Sequence, residues 1–184
     1  MKMLKSSLLI LSCLAFVGAS LFQGSACAPS GDTNNSNTTT DGGTTTDEST
    51  SNVPPGLDLK TEAMTKGSTF KLSYVPNNSK EEVPLNELFQ LKFKVMDKDG
   101  NVPKEKGIMV NACMPDHNHC MFVKPEVEKT SDGEFLVKGL KFHMQGHWEI
   151  YVDVTDGKLG EKECGKSCSC TSGDCATFNV WLEF

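Results

Sequence analysis

Apolar and polar residues alternate strictly in several short runs of this chain, and a period of two describes half-buried β-strands. The cleanest run has Trp148, Ile150, Val152 and Val154 on one face, with Glu149, Tyr151 and Asp153 facing out. Phe70, Leu72 and Tyr74 share a face in 69–75, and Phe89, Leu91, Phe93 and Val95 share one in 88–96, opposite Gln90, Lys92 and Lys94. Short strands are expected at 108–112 and 120–127. Leu140, Phe142 and Met144 align in 135–144, and Phe178, Val180, Leu182 and Phe184 in 176–184. Asp97-Lys98-Asp99-Gly100-Asn101 and Thr130-Ser131-Asp132-Gly133 are turn signals, because Gly and Asn accept positive φ, and Gln145-Gly146 interrupts another run. No stretch sustains a 3.6-residue period. Residues 56–184 are therefore expected to form an all-β domain, an immunoglobulin-like antiparallel β-sandwich of about seven strands, with a small barrel as the alternative. A domain of this size buries a sizeable core without help from metal or lipid.

The preceding residues are not fold material. Lys2 and Lys5 lead into an apolar run over 8–22, which exits through Gly24-Ser25-Ala26 to Cys27. Charged start, apolar middle and small-residue exit are the three parts of a secretory signal, here 1–26, and the run is short for a membrane span. The exit resembles a bacterial lipobox, which implies that Cys27 is lipidated and becomes the mature N-terminus. Gly24 stands where a larger aliphatic residue is usual, and ordinary cleavage after Ala26 is the alternative. Residues 28–55 are mostly Ser, Thr, Asn, Gly and Asp and end in Val53-Pro54-Pro55. Nothing there can offset chain entropy by burial, so 27–55 reads as a disordered tether spanning roughly 30 Å r.m.s.. The expected product is a membrane-anchored lipoprotein facing the periplasm or the cell surface. The net charge is −6 with no basic block, which argues against nucleic acid as a partner.

The chain has eight cysteines. Cys13 leaves with the signal and Cys27 is the lipidation candidate. Cys113, Cys120, Cys164, Cys168, Cys170 and Cys175 remain, and an even number in an exported domain signals a disulfide framework with 15 formal pairings. Cys113 and Cys120 bracket one short loop and would close it once oxidised. The cluster 164–175 suits two local disulfides before the last strand, with soft-metal thiolates as the other reading.

All four histidines fall in two places. His117 and His119 lie in Met114-Pro115-Asp116-His117-Asn118-His119-Cys120-Met121, and His143 and His147 lie in Phe142-His143-Met144-Gln145-Gly146-His147-Trp148. Imidazole nitrogen with the thioethers of Met114, Met121 and Met144 is a donor set suited to copper, Cu(I) preferring the sulfur. The same methionines also suit plain core packing. Zinc at Cys113, His117, His119 and Cys120 matches no usual spacing. A blue-copper site fails because no histidine precedes His117.

These two segments, with Gly133-Glu134-Phe135 and Leu140-Lys141-Phe142 between them, resemble the YtkA-like and FixH-like domains over roughly 66–155. The resemblance implies an exported or membrane-anchored immunoglobulin-like module, the FixH branch being linked to copper supply for respiratory oxidases. It makes Met114, His117, His119 and Met121 the first metal candidates, with His143, Met144 and His147 as further contributors. Cys120 stands where glycine is common, and Gln145 and His147 stand where proline and a basic residue are common. No Gly-x-Ser-x-Gly, phosphate loop or His-Glu-x-x-His occurs, so a non-enzyme is expected. The leading reading is a copper-binding module that serves a copper-using or copper-transporting envelope protein. The rival is a non-metal interaction or structural module stiffened by disulfides.

Overall fold

A computed structural model describes residues 52–165 and 167–183. The signal expected over 1–26 and the tether as far as residue 51 lie outside the described residues. The described elements are β1 (Glu62–Met64), β2 (Phe70–Pro76), β3 (Phe89–Asp97), β4 (Gly107–Met114), a 3-10 turn (Pro115–His117), β5 (His119–Cys120), β6 (Glu126–Ser131), β7 (Glu134–Leu140), β8 (Gly146–Thr155), β9 (Gly160–Glu161) and β10 (Cys175–Leu182). One sheet runs β1-β2-β3-β7-β6 and the other β10-β8-β4-β5, with β9 also on β4. All these pairings are antiparallel except β9 on β4. The two separate sheets make an immunoglobulin-like β-sandwich and not the alternative small barrel, and one face of each strand packs while the other meets solvent or a loop.

The inward set contains the faces read from the periodicity, joined by Ile108 and Val110 of the short apolar strand and by Val137. Leu72, Leu91, Phe93, Val95, Ile108, Val110, Val137, Trp148, Ile150 and Phe178 are all buried in one cluster drawn from both sheets. Tyr74 meets Phe178 edge-on across the sandwich, and Phe142 stacks on Trp148 with ring centroids 4.6 Å apart. The turn after β3 closes as its residues require. Gly100 takes φ +83°, its N–H donates to the Asp97 carbonyl, and Asp97 Oδ1 accepts from the N–H groups of Asp99 and Asn101.

Three differences from the sequence expectation bear on the site. The strand expected at 120–127 is two: β5 ends at Cys120, and β6 begins at Glu126 on the other sheet. The strand expected to reach residue 144 stops at Leu140, just after Gly139 turns to φ +74°, so 141–145 leave the ladder as a loop. Tyr151 does point away from the core, yet it is buried. The segment after β9 lies across the outer face of the second sheet: Asn111 Nδ2 donates to the Lys162 carbonyl, Lys162 pairs with Asp153, and Cys170 Sγ lies 3.3 Å from Thr177 Oγ1.

Candidate metal centre

The antiparallel pairing of β4 with β8 sets the geometry. The end of β4 lies beside the start of β8, so the segment leaving β4 and the segment entering β8 meet at one end of the sandwich. The first turns back through Pro115–His117, where Asn118 adopts the left-handed conformation at φ 53° and donates its N–H to the Pro115 carbonyl. Asn tolerates that conformation better than most residues. The chain then re-pairs with β4, Met114 opposite His119 and Cys113 opposite Cys120. Paired residues share a face of a sheet, and successive residues alternate. His119 therefore joins Met114 on the core side, and Cys120 joins Cys113 on the outer side.

Two imidazoles lie beside that of His119. Its ring centroid is 5.0 Å from that of His143 and 5.9 Å from that of His117. Two imidazoles on one ion can have centroids up to about 6.4 Å apart, given metal–nitrogen bonds of about 2.0–2.1 Å and a ring centre roughly 1.1 Å further on. Both spacings fit. His119 Nδ1 lies 3.3 Å from the Cys120 carbonyl, which can only accept, so in the neutral ring the proton sits on Nδ1 and Nε2 is the nitrogen left for a ligand. Burial first, then the neighbouring His119 and Lys141, holds the His143 pKa below its usual value of 6.5, which favours the neutral, ligating form.

The surroundings are aromatic. Trp148 forms the floor, 5.4 Å from His143 and 5.9 Å from His119 between ring centroids, and its Nε1–H donates to the Met144 carbonyl. Phe122 packs on His143 at 4.5 Å while remaining 79 % exposed. Sequence reasoning treated Trp148 as core only and passed over Phe122. The signal for Phe122 was available, as an apolar aromatic on a loop directly after Met121.

The other candidates divide. Met121 is half-buried against the core and Met144 is 37 % exposed, both on the histidine-bearing segments. Met114 is 1 % exposed and lies beneath Gly146, where an added Cβ would come within 3.3 Å of Met114 Cε. His147 is not brought to the cluster. It sits on the outer face of β8 opposite Trp181, with Nε2 3.0 Å from Asn179 Oδ1. Asn179 Nδ2 donates to the Asp58 carbonyl, so Oδ1 is the end that faces His147, and the imidazole donates to it. The six domain cysteines form three disulfides, Cys113–Cys120, Cys164–Cys168 and Cys170–Cys175.

A family model described as YtkA-like matches residues 62–153, from β1 through most of β8. The chain belongs to the YtkA-like family. The matched span holds both histidine segments of this YtkA-like domain, while the segment 164–175 lies beyond it. No curated protein matches the sequence. Two solved structures align at low similarity. One is a copper-bound variant of FetP from uropathogenic Escherichia coli strain F11, with 10 % identity, TM-score 0.39, and 68 % of this chain and 95 % of that one covered. The other is the Lin-41 filamin domain, with 11 % identity, TM-score 0.33, and 64 % and 95 % covered.

Proposed function

We propose that this YtkA-like domain binds a single copper ion, as Cu(I), through His117, His119 and His143, and carries it outside the cytoplasm without catalysing a reaction. The observation that supports this is that His119 lies beside His117 of its own segment and His143 of another, with His119 Nδ1 turned to a backbone carbonyl and the His143 pKa lowered by burial. The thioethers of Met121 and Met144 lie on the same segments and are the soft donors that Cu(I) favours. Met114 packs beneath the site, and His147 is occupied by Asn179. In this reading Cys27 anchors the chain to a membrane, and the ion passes to or from a copper-using or copper-transporting envelope protein. The exposed Phe122 ring beside His143 gives such a partner an apolar foothold over the site.

The test is an anaerobic Cu(I) titration against a competing chelator, followed by tryptophan fluorescence in a Trp181→Phe background so that Trp148 alone reports. One ion per chain, with quenching, is expected. His119→Ala is expected to weaken binding by more than about tenfold, since a lost ligand should cost at least as much as a lost supporting contact. His147→Ala is expected to bind as the parent does. Equal affinity for the parent and His119→Ala would refute the site and leave the non-metal interaction reading.

A further inference from the structure

The outer face of the second sheet carries a second set of donors. β9 pairs in parallel with β4, Gly160 level with Met109 and Glu161 level with Val110, and Lys162 N–H then donates to the Val110 carbonyl. Continuing that register by three residues sets Cys164 level with Cys113. The edge of β4 is already taken there by β5, through Cys120. The chain has to leave the plane of the sheet, and Lys162 marks the direction by reaching Asp153 on the outer face of β8. The sulfurs of Cys113, Cys164 and Cys168 consequently lie within 4.8 Å of one another, although their disulfides are Cys113–Cys120 and Cys164–Cys168. Cys113 is 2 % exposed, and Cys164 and Cys168 are half-buried.

We propose that Cys113, Cys164 and Cys168 form a redox-gated site for a soft metal ion, separate from the histidine cluster and on the opposite face of the same sheet. Thiolates bound to one ion by bonds of about 2.3 Å lie roughly 3.8 Å apart; Cys113 Sγ already lies within 4.8 Å of both other sulfurs, and those of Cys164 and Cys168, bonded to each other in the oxidised chain, reach that spacing by side-chain rotation once reduced. While both disulfides are closed the sulfurs are not ligands. Two equivalents of a dithiol reductant open them, each disulfide taking two electrons and two protons while each dithiol becomes a disulfide. The ion then displaces three thiol protons to solvent and binds three thiolates, leaving Cys120 as a free thiol. Soft monovalent or divalent ions are the matching class, since thiolate selects them.

The test uses the full chain with Cys13→Ser and Cys27→Ser, so that only the six domain cysteines can bind. It also carries His117→Ala, His119→Ala and His143→Ala, so that loss of the histidine site cannot affect the outcome. Cd(II) is titrated anaerobically into oxidised and reduced protein, and thiolate-to-metal charge-transfer absorption is read. Near-UV circular dichroism of the same samples reports whether the fold survives. The oxidised chain is expected to give no such band, and the reduced chain to bind one ion with the intensity of three thiolates. Cys113→Ser is expected to weaken binding at least tenfold, and Cys175→Ser to leave it unchanged. If Cys113→Ser fails to fold, Cys120→Ser serves instead, with the three ligands intact and full binding expected. The site is overturned if the reduced chain does not bind, if Cys113→Ser binds as tightly as the parent, or if Cys120→Ser has lost binding.

Discussion

Replacing Cys113 and Cys120 together by alanine is expected to destabilise the domain and weaken copper binding at the same time, although neither residue is a ligand of the histidine site. The bond closes a loop of sequence separation 7, and that loop carries both His117 and His119. Constraining so short a loop stabilises the native state by about 2.5 kcal/mol in the chain-entropy description. Alanine avoids burying a hydroxyl at Cys113, which is nearly inaccessible. The ladder pairs Cys113–Cys120 and Met114–His119 and the Met121 N–H bond to the Ala112 carbonyl are backbone contacts that remain. With a slope of about 1–3 kcal/mol per molar urea, the unfolding midpoint is expected to fall by about 0.8–2.5 M. Whatever order the loop loses must be restored when the ion binds. Copper affinity is therefore expected to drop by up to about 70-fold, the equivalent of the same 2.5 kcal/mol. The measurements are urea unfolding of the metal-free chain and chelator competition for Cu(I) in thiol-free buffer. A lowered urea midpoint with unchanged affinity would refute the reasoning, because the backbone ladder alone would then be holding the histidines in place.

Gly146→Ala places a side chain at φ +109° and 3.3 Å from Met114 Cε, and is expected to cost about 1–3 kcal/mol, seen as a thermal midpoint lower by about 3–10 °C. Met114→Ala empties a site 1 % exposed and is expected to cost about 2–5 kcal/mol in urea unfolding. Its copper affinity should stay within about threefold of the parent if the methionine packs rather than ligates. His143 has a native pKa depressed below 6.5, so the unfolded chain takes up this proton first as the pH falls. The stability of the metal-free domain should therefore be complete above pH 6.5 and decline as the pH drops through it toward the native value. His143→Gln should flatten that part of a urea-midpoint-against-pH curve, and an unchanged slope would exclude His143 as its source.

Much of this molecule is legible in its sequence because burial imposes a period of two. The inward faces of β2, β3, β8 and β10 are the residues that alternation selects, from Leu72 to Val180. Strand ends were harder to place, since they depend on backbone conformation. Gly139 ends a run whose apolar pattern continues through Phe142 to Met144, and Phe142 reaches the core from a loop, bridging to Leu85. The four histidines were visible as two groups. Their division into three and one follows from which face of β8 each occupies: His147 is opposite Trp181 on the outer face, and His143 lies before the strand begins. Tyr151 shows the same limit. Its place on the outer face was readable, but its burial depends on a segment that no alternation describes.

The two-residue strand β5 links the two faces. Alternation along it gives His119 to the core-side cluster and the adjacent Cys120 to the outer side, and the facing residues of β4, Met114 and Cys113, divide in the same way. A shift of one residue in this short pairing would exchange the faces, turning imidazole toward the cysteine-rich segment and sulfur toward Trp148. Two backbone pairs are a weak determinant of register. The Cys113–Cys120 bond holds it, because a shifted Cys120 would lie on the wrong side of the sheet to reach Cys113. The same bond therefore maintains the face on which His119 meets His143 and keeps Cys113 from acting as a thiolate. Reduction of that one bond acts on both faces at once: it loosens the imidazole cluster on the core side and frees a sulfur beside Cys164 and Cys168 on the outer side.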